Sequence, residues 1–330
     1  MNYTFFQSKK VAITGGLGFI GSHLAKALVD SGAQVTIIDS LIPQYGGNLF
    51  NISGIANQIK INISDVRDSH ALKYLLSNQD YLFNLAGQTS HLDSMHDPKT
   101  DLDINAAAQL SIVEACRLHN PGIKIIFAST RQIYGKPQFL PVTEAHPIHP
   151  VDINGIHKWA GESYHSLYQE VYGLQTCSLR LTNTYGPHMR ICDARQTFLG
   201  IWFRQLLQGR PIQVFGDGMQ LRDFNYVDDV VEAFLIAAQD PRSNGKVFNL
   251  GGNEIINLKD LASKVVALKK GACFEIIPFP PERKAIDIGD YYGSSKLIEQ
   301  SLGWKPKVSL GQGLEKTFSF YEQLSAEYLK

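Results

Sequence analysis

The sequence has few cysteines, no net charge and no long apolar segment. Only four of its 330 residues are cysteines, and no two of them form a C-x-x-C pair. This spacing excludes a disulfide-rich scaffold and a cysteine-based zinc site, and we expect no bound metal. The 31 lysines and arginines balance 31 aspartates and glutamates. A general nucleic-acid binder or a protein that binds anionic membranes is therefore not expected, because both need a surplus of basic residues.

Membrane-spanning and secretory segments are not expected either. No run approaches the roughly 18 apolar residues of a membrane span. Residues 1–10 lack the apolar stretch of a signal peptide, so we expect a cytoplasmic protein. The 44% hydrophobic and 19% charged residues are ordinary for a folded globular chain, and the length suggests about two domains.

Short apolar runs alternate with helix-period segments in the first half of the chain. Six strands are predicted near residues 11–13, 35–38, 59–63, 81–85, 124–127 and 176–181. Helical patterns separate most of them, including 106–118 and 155–172. Such alternation is typical of parallel strands joined by helices. We therefore expect an α/β fold: a doubly wound parallel (Rossmann) sheet in residues 1–185 and a smaller C-terminal α/β substrate domain in residues 186–330, with some later segments interleaved.

A glycine-rich turn follows the first predicted strand and opens its helix. It reads T-G-G-L-G-F-I-G at residues 14–21. Glycines there permit a tight turn and let the backbone approach a pyrophosphate, which binds at the helix N-terminus. Asp39 ends the second strand, where a carboxylate accepts ribose hydroxyls and repels a 2′-phosphate, so NAD is favoured over NADP. The predicted cofactor contacts here are Gly15, Gly18, Phe19, Ile20, Gly21 and Asp39.

Three further features, taken with this turn, carry a family resemblance over nearly the whole chain. They are D-V-R-D at 65–68, L-A-G-Q at 85–88 and the asparagine at 105. The sequence resembles the extended short-chain dehydrogenase/reductase family, specifically its NAD-dependent nucleotide-sugar epimerases and dehydratases. The resemblance implies NAD as the cofactor and a nucleotide-diphosphate sugar as the substrate. It adds cofactor contacts from Asp65, Val66, Leu85, Ala86, Gly87 and Asn105, and a substrate contact from Gln88.

The reaction centre of this family combines a serine or threonine, a tyrosine and a lysine. The segment A-S-T-R-Q-I-Y-G at 128–135 resembles the family's hydroxyl-bearing segment, which implies that Thr130 hydrogen-bonds the reacting sugar oxygen. The segment G-I-H-K-W-A-G-E at 155–162 resembles its lysine segment, which implies that Lys158 contacts the nicotinamide ribose. Asn154 stands where the family has its tyrosine. An amide donates and accepts hydrogen bonds but does not take up a proton at useful pH.

The missing tyrosine leaves three hypotheses. In the first, another group moves the proton. His91 is the preferred candidate, because imidazole titrates near neutrality and its loop faces substrate in the family; His157, which replaces a family serine beside Lys158, is the other. In the second, Asn154 positions a sugar hydroxyl while Thr130 and a water relay the proton. In the third, the protein binds NAD and a nucleotide sugar without catalysis.

The two residues after Thr130 narrow the reaction type. The family's 4,6-dehydratases carry an acid and a base there, and its decarboxylases carry a glutamate, whereas this chain has Arg131 and Gln132. Epimerisation by transient oxidation of the sugar at C4 or C2 is therefore favoured. A dehydratase or reductase of the same family is the alternative.

Three motifs mark the diphosphate end of the substrate. R-L-T-N-T-Y-G-P at 180–187 resembles the segment whose asparagine, here Asn183, contacts the diphosphate. G-D-G-M-Q-L-R-D-F at 216–224 resembles a segment whose arginine, here Arg222, clamps phosphate with its planar fork. Arg283 matches a second such arginine, although Ile286 replaces the usual acid three residues later. Family members also pair through two helices, here 106–119 and 155–172, which implies a homodimer.

Overall fold

A seven-stranded parallel sheet forms the centre of the computed structural model, which describes residues 4–193, 195 and 197–329. The strands are β1 (Lys10–Thr14), β2 (Gln34–Asp39), β3 (Lys60–Ile63), β4 (Tyr81–Asn84), β5 (Lys124–Thr130), β6 (Gln175–Leu181), β7 (Asn183–Tyr185), β8 (Ile212–Phe215), β9 (Leu221–Tyr226), β10 (Lys246–Leu250), β11 (Ile255–Asn257) and β12 (Phe274–Ile277). The helices are α1 (Phe19–Asp30), α2 (Ser69–Leu75), α3 (His91–His96), α4 (Pro98–Leu102), α5 (Ala108–His119), α6 (Ile153–Tyr172), α7 (Phe198–Leu207), α8 (Val227–Gln239), α9 (Leu258–Val266), α10 (Pro281–Ala285), α11 (Lys296–Leu302) and α12 (Leu310–Leu324).

The central sheet has the order β3-β2-β1-β4-β5-β6-β10, and every neighbouring pair is parallel. This order confirms the predicted doubly wound α/β fold, and all six predicted strands lie in the sheet. The direction of the crossovers reverses at β1, which has β2 on one side and β4 on the other. In such sheets the ligand crevice opens at the carboxyl ends of the strands, beside this reversal.

The seventh strand, β10, was not predicted from the sequence. It pairs with β6 in parallel, although it comes from the part of the chain predicted as the substrate domain. The remaining strands form two small sheets: β7 and β11 flank β9, and β8 pairs with β12. Within the described residues, no helix combines the length and apolar character needed to cross a lipid bilayer.

Two helix starts differ from the sequence pattern, for local reasons. α6 begins at Ile153, two residues before the predicted start, because the Asp152 side chain caps it by accepting a hydrogen bond from Gly155 N (2.7 Å). α5 begins at Ala108, after a π-helical turn, Asp103–Ala107, that joins it to α4. Such turns are often found at functional sites. Here the turn contains Asn105.

Candidate active site

A cleft of about 710 Å³ opens where the central strands end and extends to the smaller sheets. The predicted site residues that line it are Gly15, Gly18, Phe19, Ile20, Gly21, Asp39, Asp65, Val66, Leu85, Ala86, Gly87, Gln88, His91, Thr130, Asn154, Lys158, Asn183, Arg222 and Arg283. Asn105 is not on the wall of the cleft. It is fully buried behind that wall, where its Nδ2 donates a hydrogen bond to the Gln88 carbonyl (2.9 Å).

The glycine turn forms a cradle that side chains would fill. Gly15 has φ of +71°, and a Cβ placed there would lie 3.0 Å from Ala86 N. A Cβ on Gly21 would lie 2.2 Å from Gly15 O, which no side chain tolerates. Since α1 begins at Phe19, its unpaired N–H groups and positive dipole end lie beside this cradle. The open backbone therefore fits the pyrophosphate of the predicted dinucleotide.

The adenosine end of the cleft carries two carboxylates. Asp39 accepts hydrogen bonds from Leu17 N (2.9 Å) and Leu41 N (2.8 Å), one on each oxygen. Burial raises the pKa of Asp39, and the two backbone donors oppose that rise. Each oxygen keeps a lone pair for a ribose hydroxyl. Asp65 is paired with Arg67 (2.6 Å), which lowers the pKa of its carboxyl.

Lys158 lies on α6 with its ammonium group at the centre of the cleft wall. Its Nζ donates to Ala128 O (2.6 Å) and sits 4.4 Å from the centre of the Phe127 ring. Burial lowers the pKa of Lys158 to about 8, although Asp101 and Glu162 act in the opposite direction. The lysine is therefore a poorly solvated cation held where the nicotinamide ribose is predicted to bind.

Thr130 ends β5 and begins the short 3₁₀ turn Arg131–Tyr134. Its Oγ1 accepts a hydrogen bond from Gln132 N (3.2 Å). A hydroxyl that accepts in this way still has its own proton to give. The hydroxyl of Thr130 is therefore free to donate that proton to a ligand in the cleft.

Asn154 is held by a buried network, so its amide is not free to move. Its Nδ2 donates to Gln88 O (2.9 Å) and to Asp101 Oδ2 (3.1 Å), which uses both N–H groups. Its backbone N–H donates to Ser94 Oγ (3.2 Å). Only the carbonyl oxygen Oδ1 remains for a ligand. Asn154 can accept a hydrogen bond from a sugar hydroxyl, but it cannot carry a proton.

Asp101 is the centre of that network. Its fully buried carboxylate receives hydrogen bonds from Asn105 Nδ2 (3.0 Å) and Asn154 Nδ2, and it pairs with His157 Nδ1 (2.7 Å). The π-helical turn brings Asn105 next to this carboxylate. The Nδ1 atom of His157 faces Asp101, and His157 is not among the residues that line the cleft.

His91 is the first residue of α3 and lies on the cleft wall, 39% exposed. Its Nδ1 is 3.0 Å from Oδ2 of the fully buried Asp152, a close contact that is not linear enough for a well-formed hydrogen bond. Gln132 Nε2 donates to the same oxygen (2.9 Å). Burial opposes ionisation of Asp152, but His91 and the other donors outweigh it and lower its pKa. With Nδ1 held toward a carboxylate, Nε2 is the ring nitrogen available to a ligand.

The far end of the cleft contains the predicted diphosphate residues. Asn183 donates to Asp223 O (2.9 Å), and Arg222 is buried with its guanidinium bonded to Leu221 O and Gly289 O. The Arg222 Nη2 atom lies 3.7 Å from Asp287 Oδ1. An acid therefore lies beside Arg222, one residue after Ile286.

Three carboxylates of this site were missed by the sequence analysis. Asp152 had a usable signal, since an aspartate just before a helical pattern is a typical cap. No local sequence signal marks Asp101, because its hydrogen-bond partners lie up to 56 residues away in the sequence. Asp287 was missed because an acid was expected three residues after Arg283, whereas Asp287 is four residues after it.

Comparisons with known proteins identify the family of this chain. Residues 11–251 match the model of the NAD dependent epimerase/dehydratase family. A putative UDP-glucose 4-epimerase from Methanocaldococcus jannaschii is 32% identical over 94% of this chain and 97% of its own. The human dTDP-D-glucose 4,6-dehydratase is 29% identical over 96% of this chain and 91% of its own. The crystal structure of a UDP-glucose 4-epimerase from Thermotoga maritima with UDP-glucose superposes with a TM-score of 0.86 at 29% identity, covering 96% of this chain and 99% of that one.

The family match spans the glycine cradle, the reaction centre and β10. The relatives are aligned over nearly their whole lengths, so the likeness extends to the smaller sheets as well. The chain therefore belongs to the NAD dependent epimerase/dehydratase family, within the extended short-chain dehydrogenases/reductases, and is an NAD-dependent enzyme.

Proposed function

We propose that this enzyme epimerises a nucleotide-diphosphate sugar by transient oxidation at C4 or C2, with His91 in place of the usual tyrosine as proton carrier. The observation that carries this proposal is the contact between His91 and Asp152 on the cleft wall, in the same cleft as Thr130 and Lys158. A histidine whose ring nitrogen lies against a buried carboxylate is suited to act as a general base, because the negative charge favours the protonated form of the ring.

The protein's part in the reaction follows from these positions. The glycine cradle, Asp39 and Lys158 would hold NAD, which would supply a reversible acceptor for the sugar's hydride. Thr130 donates a hydrogen bond to the reacting sugar oxygen, and His91 Nε2 takes the proton of that hydroxyl as the carbon is oxidised. Asp152 stabilises the imidazolium that forms. After the ketone has presented its other face, His91 returns the proton.

Lys158 and Asn154 support this exchange without carrying the proton. The Lys158 cation favours negative charge that develops on the reacting oxygen. Asn154 Oδ1 accepts a hydrogen bond from a neighbouring sugar hydroxyl and fixes the ring. Asn154 therefore has the positioning part of the tyrosine's role, and His91 has the chemical part.

Epimerisation is favoured over dehydration because the elimination of water needs an acid and a base beside Thr130. The residues there are Arg131, whose guanidinium does not give up its proton, and Gln132, whose amide is bonded to Asp152 (2.9 Å). At the other end, Arg222 and Arg283 both line the cleft and supply cations for a diphosphate.

A panel of nucleotide sugars tests this function. The NAD-loaded protein is incubated with UDP-, dTDP-, GDP- and CDP-hexoses, and the sugar is followed by NMR. We expect one substrate to reach an equilibrium mixture of two epimers, with no unsaturated or deoxy product and no net change in NADH. Binding of NAD and sugar nucleotides without turnover of any of them would contradict the proposal, and a 4-keto-6-deoxy product would identify a dehydratase instead.

We also propose that the protein is a homodimer built on α5 and α6. Large apolar side chains are exposed along these two helices: Leu110, Leu118, Ile156, Trp159, Leu167, Val171 and Tyr172. On α6, Ile156, Trp159, Leu167 and Val171 recur at helical spacing and so share one face, with Tyr172 at its border. A contiguous apolar face of this kind is typical of a protein interface.

Trp159→Lys should convert the dimer to a monomer. The substitution places a charge in the middle of the apolar face, where it would be buried without a partner. Ile276→Lys is the matched control, because Ile276 is 47% exposed on β12 whereas Trp159 is 43% exposed on α6. Sedimentation velocity should show a monomer for Trp159→Lys only. A dimer in both variants would rule out this interface.

A further inference from the structure

Arg131 is a cleft-lining cation without a carboxylate partner. Its Nη2 donates to the amide oxygen of Asn183 (3.1 Å), and its guanidinium carbon lies 4.9 Å from the centre of the Tyr291 ring. Its Nη1 is buried and has no hydrogen-bond partner among the described residues. No aspartate or glutamate in the described part of the chain forms an ion pair with it.

This arrangement is costly for the protein alone. Arg131 is half-buried, but its Nη1 is shielded from water, and a shielded guanidinium group is normally compensated by a carboxylate, as in the buried pair between Arg180 and Glu162 (2.6 Å). Burial lowers the pKa of Arg131, and Asp223 and other acids only partly offset this. The pKa of Arg222 is lowered as well, to about 10, by burial and then by the charge of Arg131, although Asp287 lies 3.7 Å from its Nη2. Two neighbouring cations that repel each other in a cleft indicate that the ligand supplies the missing negative charge.

The position of Arg131 indicates which part of the ligand this is. Arg131 follows Thr130 directly, so its Cα is about 3.8 Å from that of the residue assigned to the reacting carbon. Its guanidinium reaches Asn183 and acts on Arg222, two residues predicted at the diphosphate end. The sugar ring has to lie between Thr130 and the diphosphate, so a carboxylate on the ring would come within reach of this guanidinium.

We propose that Arg131 binds a carboxylate on the sugar, so that the substrate is a nucleotide-diphosphate sugar acid. The planar fork of arginine matches a carboxylate, and the acid would satisfy the N–H groups that the protein leaves unpaired. This inference rests on the proposed function, because it takes the assignment of Thr130 to the reacting carbon from it.

Equilibrium binding tests the proposal and needs no turnover. The nucleoside diphosphate that binds the NAD-loaded enzyme most tightly is first chosen by calorimetry from UDP, dTDP, GDP and CDP. Three ligands of that base are then compared: the free diphosphate, its neutral hexose and the corresponding uronic acid. The variants are Arg131→Gln, Arg131→Lys and, as control, Arg210→Gln, which changes an exposed arginine outside the cleft.

We expect the wild type and Arg210→Gln to bind the uronic acid at least tenfold more tightly than the neutral hexose. Arg131→Gln should weaken binding of the uronic acid by about 10–100-fold, as expected for the loss of a charged hydrogen bond. Its affinity for the other two ligands should change by less than threefold. The affinity of Arg131→Lys for the uronic acid should lie between those of the wild type and Arg131→Gln. Retained binding of the free diphosphate shows that each variant is folded.

Equal weakening of all three ligands would assign Arg131 to the diphosphate and overturn the proposal. An absence of preference for the uronic acid in the wild type would overturn it as well. Because only binding is measured, a failure of the epimerase assay does not affect this result.

Discussion

Replacement of His91 by alanine is expected to lower kcat by about 10²–10⁴-fold, the usual contribution of a positioned general base. NAD binding should be unchanged, because His91 lies outside the glycine cradle. Added imidazole should restore part of the lost rate, since it can enter the space left on the cleft wall and carry the proton. Rates are measured with the substrate identified by NMR, and NAD binding by fluorescence.

His96→Ala is the matched control, because His96 is exposed at the other end of the same short helix; its kcat should equal that of the wild type. Asp152→Asn keeps the helix cap but removes the charge that faces His91. It should lower kcat by at least tenfold with little change in KM, as expected of a positioning residue. A kcat of His91→Ala within threefold of the wild-type value would contradict His91 as the base and would favour proton transfer through Thr130 and a water.

Replacement of Lys158 by methionine is expected to change activity and stability in opposite directions. Loss of the cation beside the reacting oxygen should lower kcat by about 10²–10³-fold. The protein stripped of NAD should become more stable by about 1–3 kcal/mol at pH 7, because a buried charge is replaced by an apolar chain. Denaturant unfolding measures the second effect, and Lys305→Met, at an exposed lysine, is the control.

The pH dependence of that difference follows from the pKa of Lys158. In the folded protein this pKa is about 8, whereas an ordinary lysine titrates near 10.5. Between these values the unfolded chain binds more protons than the folded one, so the stability of the wild type rises with pH. The Lys158→Met variant has no such pH-dependent contribution, because methionine does not titrate. Its stability advantage should therefore be full below pH 8 and shrink toward pH 10.5; an advantage independent of pH would show that the charge of Lys158 is not responsible.

Much of the fold and the cofactor site could be predicted because their signals are local. The glycine turn, the strand before it and Asp39 occupy one short stretch. Most of the six predicted strands are short runs rich in apolar residues; the exceptions are 59–63, in which apolar and polar residues alternate, and 176–181, which also contains polar residues. In β1 the residues from Val11 to Thr14 are all fully buried, which is why the run has no polar interruption. Such features need no knowledge of distant contacts.

The chemistry at the missing tyrosine could not be predicted in the same way. Which group can replace the tyrosine depends on the side chains that the fold brings into contact. Asp101 captures the amide of Asn154 across 53 residues of sequence, and Asp152 meets His91 from another element. The sequence left His91 and His157 as candidates. Their different carboxylate partners separate them: one faces the cleft and the other is turned into the buried network.

β10 forms one edge of the central sheet but comes late in the sequence. The sheet can therefore be completed only after residues 246–250 have been synthesised. Until residue 250 has left the ribosome, β6 has an open edge with unpaired N–H and C=O groups, which another chain could pair with. A fragment cut at residue 185 would keep that edge permanently. We therefore do not expect residues 1–185 to be an independent module that can be excised or exchanged, although the predicted cofactor contacts all come from the first half of the chain.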